Sequence, residues 1–144
     1  MIEGPDPFQL QRFIEAQDNT FETALNELKS GKKQSHWMWF IFPQLAGLGR
    51  SPTAQFYAIR SLHEARAFLA QPILGDRYRQ CVEAILGWSG AKDASEILGD
   101  VDAAKLRSSL TLFENASGDP QFRHALEAFY DGPDIATIQL LKRS

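Results

Sequence analysis

Apolar residues recur along this chain at helical spacing, in short blocks that prolines and glycines punctuate. Proline is tolerated in the first turn of a helix but breaks its interior, so a proline at a change of hydrophobic period predicts a helix start. Asp6-Pro7 opens a segment in which Phe8, Leu10, Phe13 and Ile14 share one face and which ends near Gln17. Asn19 and Glu22 have the spacing of a capping box, and Phe21, Ala24, Leu25 and Leu28 follow before Gly31 stops the helix. The basic loop "KSGKK" comes next, and after it the run "QSHWMWFIFPQLAGLGRS", residues 34–51.

Beyond that run, "SPTAQFYAI" again supplies a cap and a proline, and Ser61 with Glu64 repeats the capping-box spacing ahead of "LHEARAFLA". Pro72 starts a longer helix whose face carries Ile73, Leu74, Tyr78, Cys81, Val82, Ile85 and Leu86, broken by Gly87 to Gly90. A short turn, "ASEILG", precedes "DVDAAKLRSSLTLFENA" with Leu106, Leu110 and Phe113 in register. Asp119-Pro120 opens another helix, and "DIATIQLLKRS" closes the chain. Sustained period-2 alternation and Asn-Gly or Asp-Gly hairpin turns are missing. The pattern therefore predicts an all-α (mainly α) fold of short helices. "HWMWFIF" is too short for its period to decide, but it has no evident strand partner. It is expected as a central helix over residues 35–42, apolar all round and enclosed.

Composition narrows the class. At 144 residues the chain is expected to form a single compact domain, 1–144, burying roughly 70% of its unfolded surface. A formal charge of −3 argues against general capture of nucleic acid, which needs clustered Lys and Arg. A local patch of Lys29, Lys32, Lys33 and Arg50 keeps that class open as a weak third reading. Cys81 is the only cysteine, so no internal disulfide forms and a reducing, cytoplasmic setting is expected. The longest apolar stretch, residues 37–43, is far short of the ~20 needed to span a bilayer.

Three strings, "KKQSHWMWFIFPQLAGLGRS", "EARAFLAQPILGDRYR" and "DAAKLRSSLTLF", resemble an uncharacterised bacterial family, domain of unknown function 1810, whose members are often labelled calpastatin. The resemblance implies one compact, mostly helical domain and no established activity. A calpastatin would be a largely disordered protease inhibitor, which an aromatic-rich chain with 44% hydrophobic residues contradicts on physical grounds.

Candidate chemistry gathers in two segments. Spacing places His36, Trp39, Phe40 and Pro43 along one side of the expected central helix, with Ser35 as its cap. An imidazole at His36 suits acid–base catalysis or a ligand hydrogen bond, and equally a structural bond to a carbonyl. Trp37 and Trp39 suit a stacking wall for a flat ligand, or plain core. Gln44 can both donate and accept, toward a ligand edge or its own loop. Gly49, Arg50 and Ser51 deliver the chain into Pro52 as an anion-binding turn or an ordinary one; P-loop and dinucleotide spacings are absent.

In the second segment Lys105 lies one turn before Ser108 and Ser109, allowing a Ser–Lys pair, but it can as easily pair with Asp102. Ser109 and Thr111 read better as hydroxyl donors to a phosphate, or as back-bonded helix residues. His63 and His124 are isolated, no metal-ligand spacing occurs, and no cofactor is implied. Cys81 sits on an apolar stripe and is expected to be inert.

The leading expectation is a small ligand-binding domain. His36 and Lys105 are its candidate catalytic residues, and Trp39, Gln44, Gly49, Arg50, Ser51, Ser109 and Thr111 its candidate ligand contacts. Its partner would be a small anionic, nucleotide-derived or phosphate-containing metabolite, and whether a reaction follows is left open. The competing class is a protein–protein interaction module with no small-molecule chemistry. Oligomeric state is not legible.

Overall fold

Three of the prolines stand where their grammar requires. In a computed structural model describing residues 2–143, Pro52, Pro72 and Pro120 are each the first residue of a helix. Met1 and Ser144, the ends of the expected domain, lie outside the described residues. The described residues form ten helices: α1 (Gln11–Asp18), α2 (Phe21–Lys29), α3 (Met38–Ile41), α4 (Pro52–Phe56), α5 (Leu62–Ala70), α6 (Pro72–Leu86), α7 (Ala94–Leu98), α8 (Asp100–Ser117), α9 (Pro120–Phe129) and α10 (Ile135–Arg143). The fold is all-α. An isolated parallel bridge between Leu45 and Ile59 is the β-type pairing among the described residues. None of these helices is long and apolar enough to cross a membrane.

The caps follow the sequence unevenly. Ser51, Gln71 and Asp119 each accept a backbone N–H from the first turn of the helix they precede. The Asn19–Glu22 box does not form: α2 begins after Thr20 with no side-chain cap. At Ser61 half of the box forms, the serine oxygen accepting from the Glu64 N–H at 3.1 Å. The Glu64 carboxylate turns elsewhere, to Arg60 and Arg12. A complete box sits at Asp93 and Glu96, opening the short α7.

The expected helix over residues 35–42 is corrected to a single turn, α3. Phe42 precedes a proline, which disfavours helical geometry, and it leaves the helix at φ −124°, ψ 71°. At the other end Ser35 does not cap. Its N–H and hydroxyl both donate to Glu27 on α2. The run is nevertheless enclosed, since Trp37, Met38, Ile41 and Phe42 are all buried. The long central elements are α6 and α8.

Both hold the core through Tyr78, whose ring centroid lies 4.5 Å from that of Phe113, 5.2 Å from Phe122, 5.5 Å from Phe42 and 6.2 Å from Phe68. These rings come from α8, α9, the end of α3 and α5, so one side chain of α6 joins four other segments. Edge-to-face pairs contribute about 0.5–1.5 kcal/mol each beyond burial. The Tyr78 hydroxyl meets Ser109 Oγ at 2.9 Å in the dry interior. Burial drives its phenol well above the ordinary range, only partly offset by that bond.

Candidate functional site

A carboxylate on α2 positions the first candidate segment. Glu27 accepts the N–H groups of Gln34 and Ser35 at 2.8 and 3.0 Å, the Ser35 hydroxyl, and Trp37 Nε1 at 2.9 Å. Burial alone would raise the Glu27 carboxyl. The bonds from Ser35, Gln34 and Trp37 outweigh it and hold the group at about 2. The loop from residue 34 to 37 is thereby pinned to α2, with Trp37 inward and α3 following.

After Pro43 the chain is fixed again by the bridge, in which the Ile59 N–H donates to Gln44 O at 2.9 Å and the Ala46 N–H to Ile59 O at 2.8 Å. This pairing sets the backbone of Gln44 beside the segment that joins α4 to α5. Two glycines shape the turn for different reasons. Gly47 takes φ +103°, while Gly49 is needed for close approach, since a Cβ there would lie 2.5 Å from the Cβ of Ala54.

These elements and α8 meet in a crevice bordered by Trp39, Gln44, Gly49, Ala54, Tyr57 and Lys105. Its volume is about 10 Å³, room for roughly one water. Lys105 Nζ stands 5.6 Å from the centre of the Trp39 ring. Its carboxylate neighbour, Asp102, is 3.8 Å away and already holds Lys33 Nζ at 2.9 Å. Lys33 in turn lies over the Trp37 ring at 5.1 Å. Two ammonium groups thus share one carboxylate beside the exposed part of an indole, leaving a local excess of positive charge.

Of the residues singled out from the sequence, the structure brings together Trp39, Gln44, Gly49 and Lys105. Five others lie apart. His36 is exposed, makes no hydrogen bond or ion pair among the described residues, and does not border the crevice. Its position follows from the loss of the expected helix, because the Glu27 anchor turns residue 36 outward. Arg50 is exposed on the turn, and its carbonyl accepts from Gln55. Ser51 caps α4 through its oxygen.

Ser109, one turn along α8 from Lys105, is fully buried, and its hydroxyl meets the Tyr78 hydroxyl in the core instead of the crevice. Thr111 is buried too, back-bonded to Arg107 O at 2.8 Å while it accepts the Asp134 N–H at 2.8 Å ahead of α10. Ser108 back-bonds to Ala104 O at 3.2 Å. Among the described residues no hydrogen bond joins Lys105 to either serine, and no group of acidic, histidine and cysteine side chains could hold a metal ion.

Tyr57 and Ala54 were not singled out. Their place in the crevice depends on the bridge and on α4, neither of which hydrophobic periodicity encodes. Cys81 is buried, and its thiol is pushed up to about 12, chiefly by burial.

Comparison with known proteins agrees with this architecture. The crystal structure of the conserved hypothetical protein Rv1873 from Mycobacterium tuberculosis is 42% identical and superposes with a TM-score of 0.92, covering 95% of this chain and 99% of that one. No curated protein matches. A family model described as a protein of unknown function, DUF1810, matches residues 7–141, and the chain belongs to that family.

Proposed function

We propose that this protein binds a small anion carrying a flat group, of the kind found in nucleotide-derived metabolites, at the crevice between Trp39 and Lys105. The supporting observation is the Lys105 ammonium, poised over an indole while Lys33 makes the shorter contact to the shared carboxylate. A phosphate or carboxylate takes up that charge, and the flat part of the ligand lies on the half-exposed Trp39. The Gln44 amide offers both a donor and an acceptor at the same mouth. With room for one water, the crevice receives a bridging water, and the ligand, its anionic end included, lies at the mouth. A cation, an amide and aromatic faces are the chemistry of recognition rather than of bond cleavage. The single cysteine fits a reducing, cytoplasmic setting for such a role.

Thermal melts with adenosine monophosphate, guanosine monophosphate and inorganic phosphate test this. At a hundredfold excess over Kd, binding adds about 2.7 kcal/mol, a rise of about 8 °C for a chain of this length. Lys105→Ala should abolish the rise and leave the unliganded melt nearly unchanged, since the Lys105–Asp102 pair is long and partly exposed. If none of the three probes raises the melting temperature, the proposal fails and the interaction-module reading is favoured.

A further inference from the structure

A larger hollow lies across α4 from the crevice. Ala54 and Tyr57 border the crevice, whereas Phe56 borders a groove of about 470 Å³ between the turn before α1 and the start of α5. That volume is within the range of small-molecule sites.

Its floor is an internally satisfied ion pair. All five N–H groups of Arg12 are engaged. Nε donates to Phe56 O at 3.0 Å, Nη1 to Phe8 O and to Gln9 O, and Nη2 to Ala58 O at 3.1 Å and to Glu64 at 2.9 Å. The other Glu64 oxygen accepts the Arg60 N–H at 3.1 Å. Arg12 and Glu64 therefore cancel in charge and fix the groove's shape, tying α1 to the segment that carries Phe56.

What the floor leaves unengaged defines the ligand. The Arg60 guanidinium is exposed on the groove and has no ion pair or side-chain hydrogen bond among the described residues. The Ser61 oxygen accepts from Glu64 N–H, which leaves its hydrogen to donate. The Gln9 amide also faces the groove without a partner, on a backbone held at φ +55°. The walls are aromatic. Phe8 stacks on His63 at 5.3 Å, and Phe56 is 57% exposed, with Tyr57 edge-on at 4.8 Å. The uncompensated charge is a cation, most of the spare hydrogen-bonding capacity is donor, and an exposed ring stands beside both.

We infer that this groove is a second ligand site, taking a small carboxylate or similar monoanion joined to a flat apolar body, with the anion on Arg60 and the body against Phe56. The site is independent of the crevice and of the ligand proposed there.

Titrating ¹⁵N-labelled protein with 2-naphthoate, and separately with the neutral 2-naphthamide, tests it by amide shifts. Naphthoate should perturb residues 8–9 and 56–64, and the neutral probe should bind about tenfold more weakly, the loss of one charge-assisted contact. Arg60→Ala should remove that preference for the anion, and Phe56→Ala should weaken both probes. Both side chains are exposed, so both variants should fold, and dispersed spectra check this. Shifts centred on residues 38–45 and Lys105 would place the anion in the crevice and overturn the second site. So would an absence of shifts at millimolar probe, equal binding of the two probes, or unaltered preference in Arg60→Ala.

Discussion

Replacing Glu27 by glutamine tests how the first segment is held, because pH can reproduce the same perturbation in the unmutated chain. The carboxylate accepts four hydrogen bonds from residues 34–37, and its pKa is depressed from an ordinary 4.5 to about 2. That depression corresponds to about 3 kcal/mol between the ionised and protonated forms, and screening at this half-exposed position lowers the expected contribution to about 2 kcal/mol. Because the folded value lies below the unfolded one, the contribution is complete above pH 4.5 and is lost as pH falls toward 2. Urea unfolding followed by circular dichroism should show Glu27→Gln less stable by about 2 kcal/mol at pH 7. The gap should narrow steadily between pH 4.5 and pH 2, where the carboxyl itself is protonated. A gap that does not change with pH, or one below about 0.5 kcal/mol at neutrality, would refute the role given to Glu27.

Other parts of the framework give further expectations. Arg12→Met should cost about 3–5 kcal/mol in urea unfolding, because it strands the buried Glu64 carboxylate, and a loss near zero would contradict the clamp. Gly31→Ala should cost about 2–4 kcal/mol. Gly31 has φ +73°, and an added Cβ would fall 2.7 Å from the Trp88 ring, which Leu28 O fixes through Nε1; a neutral effect would show that the ring is free to move. The Cys81 thiol, raised to about 12 by burial, should react with Ellman's reagent only as fast as the chain unfolds, and rapid native labelling would show the stripe is not closed.

Punctuation by proline was legible because it is local: Pro52, Pro72 and Pro120 each open a helix, and the caps at Ser51 and Asp119 lie beside them, whereas the spacing at Asn19 and the serine at 35 led to no cap. Residues 35–42 were misjudged in length because the deciding partner, Glu27, lies on the preceding helix and competes for the serine that would have capped them. With that helix shortened, His36 turns outward and does not reach the crevice that Gln44 borders. Asp102 was visible as a neighbour of Lys105 at helical spacing, but Trp39 is 66 positions away, and only the packing of α3 on the body of the fold brings the indole under the ammonium. The Arg12 clamp reaches acceptors 44 to 52 positions along the chain, so the groove left no sequence pattern.

The indole resonances offer the most direct measurement of the crevice. Trp37 Nε1 donates to Glu27 and Trp88 Nε1 to Leu28 O, whereas Trp39 Nε1 has no protein acceptor among the described residues. Trp39→Phe therefore assigns its indole peak in a ¹⁵N correlation spectrum by deletion. On titration with adenosine monophosphate, the Trp39 indole and the Lys105 amide should move along one saturable curve while the Trp88 indole stays in place, and Lys105→Ala should abolish the response. A Trp39 indole that stays put at saturating nucleotide, or one that shifts equally in Lys105→Ala, would contradict anion recognition at this site.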